Sequence, residues 1–294
     1  MLKVAVVGLG AMGAPIAQHL HRAGLLTAVS NRSPAKALAF AQAHAGVVAV
    51  ADPVDLPHHC EVVLSAVSAD ADVIALARAL AVNAAPGFVL IDISTIASAS
   101  AEQAAWILRS HGADFLDCPV SGGVEGARQG KLSVMVGGED ETLDEMRPVL
   151  DCFAAKITHM GPVGAGQNTK AVNQVLIAGI ATAVCEGLAL GEALGLDAER
   201  LLPTLLAGAA ANWFLDKRGA SMLQDQFTVG FKLSLLHKDL GIVQALAEST
   251  GVDHSLVDKA LGDYAELMAS GHGDDDISAL IRLKRGRPGV KVVG

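Results

Sequence analysis

The 294-residue chain carries 22 Lys and Arg against 31 Asp and Glu, and its formal charge of −9 argues against a general nucleic-acid or anionic-membrane surface. Hydrophobic residues make up 51% and aromatics only 3%, so the interior must be built from Ala, Val, Leu and Ile, which suits packed helices and parallel strands. Cys60, Cys118, Cys152 and Cys185 are widely spaced and form no CxxC, the usage expected of free thiols in a reducing compartment.

The N-terminal stretch MLKVAVVGLG lacks a small-residue cleavage site and runs directly into a glycine motif. It reads as a strand and not a leader, and a soluble cytoplasmic protein is the expectation. Strands are then predicted at 3–8, 25–30, 47–50, 61–67, 88–94, 113–120, 132–138 and 155–161, with Ala-rich helical segments between the earlier ones. Apolar strands alternating with helices predict a mainly parallel sheet covered on both faces.

After Gly161-Pro162 the strand signals stop. One long helix is expected from about Gln167 to Leu194, then helices near 197–207, 210–224, 231–250, 253–270 and 274–283. The uncharged run Ala171–Cys185 is too short, and too rich in Asn, Gln and Thr, for a membrane span. The division expected is a dinucleotide-binding domain over 1–163 and an all-α domain over 164–294. The tail KRGRPGVKVVG is basic and then strand-like.

Gly8-Leu9-Gly10-Ala11-Met12-Gly13 is a GxGxxG that follows a strand at once and opens a helical segment, APIAQHLHRAG. In that context Gly8 permits the tight turn, Gly10 lets backbone approach a pyrophosphate, and Gly13 lets the helix lie close on the sheet. An NAD site usually places Asp or Glu about twenty residues on, to accept from the ribose hydroxyls. This chain has SNRSPAK there, with no acid between Leu25 and Lys36. Arg32, flanked by Asn31 and Ser33, suits a 2′-phosphate, so NADP is expected, with NAD also possible.

Four motifs, GLGAMGAPIAQHL, DCPVSGGVEGARQGKL, GAGQNTKAVNQ and FKLSLLHKDL, stand in the order and spacing of the β-hydroxyacid dehydrogenases, which the chain resembles over essentially its whole length. The resemblance implies an N-terminal Rossmann domain joined by a long helix to an all-α C-terminal domain, with the active site in the cleft between them. It implies that Ser121, Gly122 and Gly123 hold a substrate carboxylate, that Lys170 is the catalytic acid/base, and that Asn173 binds substrate beside it. Val67, Ser68 and Thr95 would line the nicotinamide side, and Lys238 would reach substrate and cofactor from the second domain. Cys118 stands where alanine is common in the family, and Gln174 where some members have a second asparagine. The first points to a packing change; the second leaves the substrate subclass open. The implied substrate is a short carboxylated aldehyde or hydroxyacid, and the implied assembly a homodimer or homotetramer.

The residues lead to the same lysine. Lys170, Asn173 and Gln174 are i, i+3 and i+4, one helical face. Burial and a helix N-terminus both disfavour an ammonium, so this pattern predicts a lysine whose pKa falls toward working pH. Such a group exchanges a proton with a carbonyl oxygen as hydride arrives or leaves. VSGG offers a hydroxyl and flexible backbone amides, although as a bare tetrapeptide it is an ordinary turn. Trp213 and Phe231 suit either a pocket wall or the core. His272 with Asp274, Asp275 and Asp276 reads as a solvated turn and helix cap, and no metal is expected. The competing readings are an imine reductase of related fold, which would lack the lysine, a 6-phosphogluconate-type enzyme, which would be longer, and a cofactor-binding scaffold without chemistry.

Overall fold

The computed structural model describes residues 2–285, so the tail at 286–294 lies outside the described residues. Two compact units divide the chain, one running to Lys170 and the other beginning at Ala171.

In the first unit, strands β1 (Val4–Val7), β2 (Leu26–Ser30), β3 (Val48–Ala49), β4 (Val62–Ser65), β5 (Val89–Asp92) and β6 (Asp114–Asp117) pair in parallel in the order β3-β2-β1-β4-β5-β6. The crossovers carry α1 (Gly13–Arg22), α2 (Pro34–Ala43), α3 (Asp70–Ala81) and α4 (Ser98–Arg109). Every residue of β1, β4 and β5 is buried, as expected of strands covered on both faces. Val6, Leu64 and Ile91 belong to the apolar layer that includes Ile16 and Leu20 of α1. Ala5, Val63 and Leu90 belong to the opposite layer, with Leu80 of α3 and Leu108 of α4.

The predicted strand 113–120 is two strands. Pro119 follows β6 and cannot donate to a ladder, and the chain turns there into β7 (Val120–Ser121). β7 pairs antiparallel with β8 (Leu132–Gly137), and β8 pairs parallel with β9 (Ala154–Gly161). Between them lie α5 (Gly123–Gln129) and α6 (Asp140–Leu150).

Helix α7 (Ala165–Ala193) leaves the first unit and becomes the spine of the second. It is 29 residues long and, by length and composition alone, apolar enough to cross a membrane, although the uncharged run Ala171–Cys185 within it is too short to do so. Its buried face, Ala171, Ala178, Ala181, Cys185 and Leu188, packs into the core of the second unit. That unit adds α8 (Ala198–Leu206), α9 (Trp213–Leu223), α10 (Leu233–Thr250) and α11 (Ser255–Ala269). The expected helix at 274–283 is a 3₁₀ turn, Ile277–Leu280, running into a single turn, α12 (Ile281–Lys284). Asp276 explains it: fully buried, not solvated, the carboxylate accepts from Ser278 N and also from Gly230 N and Phe231 N. Trp213 is half exposed, beneath the Arg218 guanidinium, and is no core residue.

The first compact unit extends past 163 to Lys170. The first turn of α7 is bonded to the sheet of the first unit and stays with it: Asp117 of β6 accepts from Gly164 N and Gln167 N.

Candidate active site

The strand order reverses between β1 and β4, and in open parallel sheets that switch point is where ligands bind. Gly8 leaves β1 there with φ of +93°, its amide donating to Ser30 O at 2.9 Å. A Cβ on Gly8 would lie 2.3 Å from Ala66 O beyond β4, and one on Gly13 only 1.8 Å from Gly8 O. Both glycines are therefore required by close backbone approach. Gly10 differs: a Cβ there meets open space, which leaves room for a ligand against the backbone. Leu9 is buried, Ala11 exposed and Met12 half-buried, and no side chain caps the start of α1. This open, uncapped helix start fits a pyrophosphate.

Asn31 at the end of β2 braces the loop, its Oδ1 accepting from Leu9 N at 2.8 Å and its Nδ2 donating to Ser33 O at 3.1 Å. Arg32 and Ser33 are exposed, and among the described residues no ion pair engages the Arg32 guanidinium. The cradle thus fits a nicotinamide dinucleotide, for which 8–13 would face the pyrophosphate and 31–33 the adenosine ribose.

Beyond β4 and β5 a buried network fixes two further loops. Ser65 Oγ and Ser94 Oγ both donate to Asp92 Oδ1, at 2.6 and 2.7 Å. Val67 N donates to Ser94 Oγ at 3.0 Å, which ties Val67 and Ser68 to the loop carrying Thr95. Sequence reasoning overlooked Asp92 and Ser94; their signal was a polar pair at the end of an otherwise apolar strand.

Lys170 is buried, 7% exposed, and its Nζ donates to Val120 O at 2.8 Å. The ammonium therefore sits against the strand that continues into Ser121, Gly122 and Gly123. Gly122 and Gly123 have φ of +129° and +63°, the left-handed region that favours glycine, and Gly123 opens α5. Gln167, one turn before Lys170, accepts from Ile96 N at 3.2 Å and donates to Ser94 O at 2.8 Å. The first unit thus brings together Lys170, the 121–123 loop and the Thr95 loop. One expectation needs correcting. Lys170 is in the second turn of α7, where the helix-end field has largely faded, and it is buried with its Nζ on Val120 O.

Asn173 and Lys238 belong to the second unit and join one another through two buried residues. Asn173 Nδ2 donates to Gln174 Oε1 at 2.8 Å, Gln174 Nε2 to Asp239 Oδ2 at 2.7 Å, and Lys238 Nζ pairs with Asp239 Oδ1 at 3.0 Å. Gln174 is therefore a link in this chain of polar contacts.

Burial holds three thiols protonated, Cys60, Cys118 and Cys185, the last pushed up to about 12. Cys118 is fully enclosed, its pKa held well above the ordinary thiol value first by burial and then by neighbouring Asp117, and Cys60 is pushed up to about 12. Cys118 acts as a packing residue.

Known proteins match this arrangement from end to end. Residues 3–161 match the family described as the NAD binding domain of 6-phosphogluconate dehydrogenase, and residues 164–284 that described as NAD-binding of NADP-dependent 3-hydroxyisobutyrate dehydrogenase. A probable 3-hydroxyisobutyrate dehydrogenase of Mycobacterium tuberculosis is 34% identical over 301 residues, covering 98% of this chain and 99% of its own. An NAD-dependent L-serine dehydrogenase of Pseudomonas aeruginosa is 34% identical over 296 residues, covering 96% of this chain and 98% of its own. The solved structure of Mycobacterium tuberculosis 3-hydroxyisobutyrate dehydrogenase with L-serine has a TM-score of 0.86 at 32% identity, covering 97% of this chain and 100% of that one. With both halves matched in order and relatives aligned along their full length, the chain belongs to the NAD(P)-dependent β-hydroxyacid dehydrogenase family.

Proposed function

We propose that this chain interconverts a short carboxylated hydroxyacid and its aldehyde or semialdehyde with NADP(H), using Lys170 as the general acid/base. The observation that carries this reading is the buried Lys170 ammonium, hydrogen-bonded to Val120 O beside the Ser121-Gly122-Gly123 loop.

A bound nicotinamide supplies or accepts the hydride. In reduction, Lys170 Nζ gives a proton to the substrate oxygen as the carbonyl carbon gains hydride; in oxidation it takes the proton from the hydroxyl. Ser121 Oγ and the backbone amides at Gly122 and Gly123 receive the carboxylate. Asn173 and Lys238 are assigned to substrate by motif position, with Gln174 and Asp239 bracing them within their own unit. The 2′-phosphate goes to the exposed Arg32, and no acid stands near it on β2 to favour the free ribose.

The apolar face that α7 leaves exposed, with Val172, Leu176 and Leu190 each at least 60% accessible, together with Leu194 just beyond its end, supports a homodimer or homotetramer. The deciding assay sets NADPH and NADH against glyoxylate, tartronate semialdehyde, succinic semialdehyde and methylmalonate semialdehyde. Turnover with NADPH of at least one is expected; no turnover of any with either cofactor would favour a non-catalytic binding protein.

A further inference from the structure

The reading of Lys170 as proton carrier leaves a buried carboxylate without a part. Asp117 ends β6 and is fully buried. Its Oδ1 accepts from Gly164 N at 2.8 Å and its Oδ2 from Gln167 N at 2.9 Å, so each oxygen holds one orphan amide at the start of α7. The fit depends on two glycines. A Cβ on Gly137 of β8 would lie 2.3 Å from Asp117 Oδ1, and one on Gly166 would lie 2.5 Å from Met135 O and 2.7 Å from Asp117 O. The helix start is pressed onto the sheet with no space for a side chain.

Gln167 completes the clamp. Its side chain, 3% exposed, bonds Ile96 N and Ser94 O on either side of Thr95. Three residues further along α7, Lys170 reaches Val120 O, itself three residues after Asp117. One segment, 117–120, therefore fixes both the helix backbone and the ammonium that the helix presents.

We propose that Asp117 and Gln167 are positioning residues: together they set the height and rotation of the first turns of α7, and so the place of Lys170 Nζ against the 121–123 and Thr95 loops. This rests on Lys170 being the acid/base. A helix start on the surface is satisfied by water or a neutral cap; here a carboxylate is kept at the cost of its own burial, which outweighs the two amide bonds and raises its pKa to about 6. Carboxylates perturbed by burial in this way are enriched at functional sites.

The test uses the full chain with bound NADPH and the variants Asp117→Asn and Gln167→Met, each alone and combined with Lys170→Ala. Either single substitution is expected to lower kcat by about tenfold to a hundredfold, the effect of misplacing a catalytic group. NADPH affinity, read by fluorescence titration, stays within about twofold in Asp117→Asn, whose carboxylate bonds only Gly164 N and Gln167 N. Gln167→Met, which also frees the Thr95 loop beside the nicotinamide, is read by kcat at saturating NADPH. Hydrogen exchange at the Gly164 and Gln167 amides accelerates in Asp117→Asn. In the Lys170→Ala background neither substitution lowers kcat further, since both act through the lysine. Parental kcat in both single variants, or losses that multiply with that of Lys170→Ala, would overturn the proposal while leaving the lysine's role intact. Parental kcat in Lys170→Ala itself would overturn both. Should Asp117→Asn fail to fold, Gln167→Met, which keeps the backbone cap, decides alone.

Discussion

Asn31 Oδ1 accepts the Leu9 amide at 2.8 Å, so the residue beside the proposed 2′-phosphate contact also braces the glycine loop. The two neighbours therefore fail differently. Arg32→Ala is expected to weaken NADPH by about tenfold to a hundredfold, the worth of a charge-assisted hydrogen bond, and to leave NADH unchanged. Asn31→Ala loosens the loop that both cofactors share and weakens both. Titration of each variant with each cofactor separates the cases; unchanged NADPH affinity in Arg32→Ala would remove the NADP assignment.

The glycines of the loop divide the same way. Gly13→Ala sets a Cβ 1.8 Å from Gly8 O and must move α1 off the sheet, at a cost of about 1–3 kcal/mol, visible as a lower Tm. Gly10→Ala enters open space, so Tm should shift by no more than about 0.5 kcal/mol equivalent while cofactor affinity falls. Equal stability losses at both positions would contradict this account of the loop.

These contrasts show what the sequence could carry. The glycine turn, the strand before it and the helix after it are local, and so are the periodicities of β1 to β5; all were legible in order. Pro119 was visible, but its effect, splitting 113–120 into β6 and an antiparallel β7, depends on β8 arriving alongside. The Asp117 bonds to Gly164 and Gln167 span 47 and 50 residues, and they hold the first turn of α7 to the first unit. Asp276 organises its turn through amides 45 and 46 residues away, where the sequence suggested a solvated acid. The candidate site residues are named by their motifs alone. The buried acids and the glutamines that hold them were not legible, because their partners are distant in sequence.

A pH-dependent stability follows from Asp117. Burial lifts its pKa from 3.8 to about 6 against the pull of its amide partners. Between those values the native state binds more protons than the unfolded chain. This group's contribution is therefore fully present below pH 3.8 and is lost as pH rises through 6, in all about 2–3 kcal/mol. Relative to Asp117→Asn, the parent should lose unfolding free energy from pH 4 to 7 and stay level above. A difference that is flat across that range would contradict the buried-carboxylate assignment.

The 121–123 loop makes a demand on substrate. Esterifying the carboxylate of the best substrate should cost far more in kcat/KM than altering its distal group, and Ser121→Ala should raise KM for the acid by about tenfold. Equal turnover of an acid and its uncharged analogue would assign the loop to packing.

The exposed face of α7 predicts an assembly. Leu176→Glu places a charge on a side chain that is 60% accessible and should reduce the mass measured by light scattering without lowering Tm below that of the separated subunit. A parental protein that is monomeric at micromolar concentration would remove this surface as an interface.

The account turns on Lys170, and a single-turnover measurement tests it most directly: hydride transfer from NADPH to the best substrate, followed by loss of absorbance, in the parent and in Lys170→Ala. A general acid/base typically contributes about 10²–10⁴-fold, so the variant should slow by that amount while binding NADPH as tightly as the parent. Lys170→Arg should not restore the rate, because a guanidinium does not exchange its proton near neutral pH. A transfer rate in Lys170→Ala within about threefold of the parent, less than the smallest such contribution, would make the bond to Val120 purely structural and contradict the proposed chemistry.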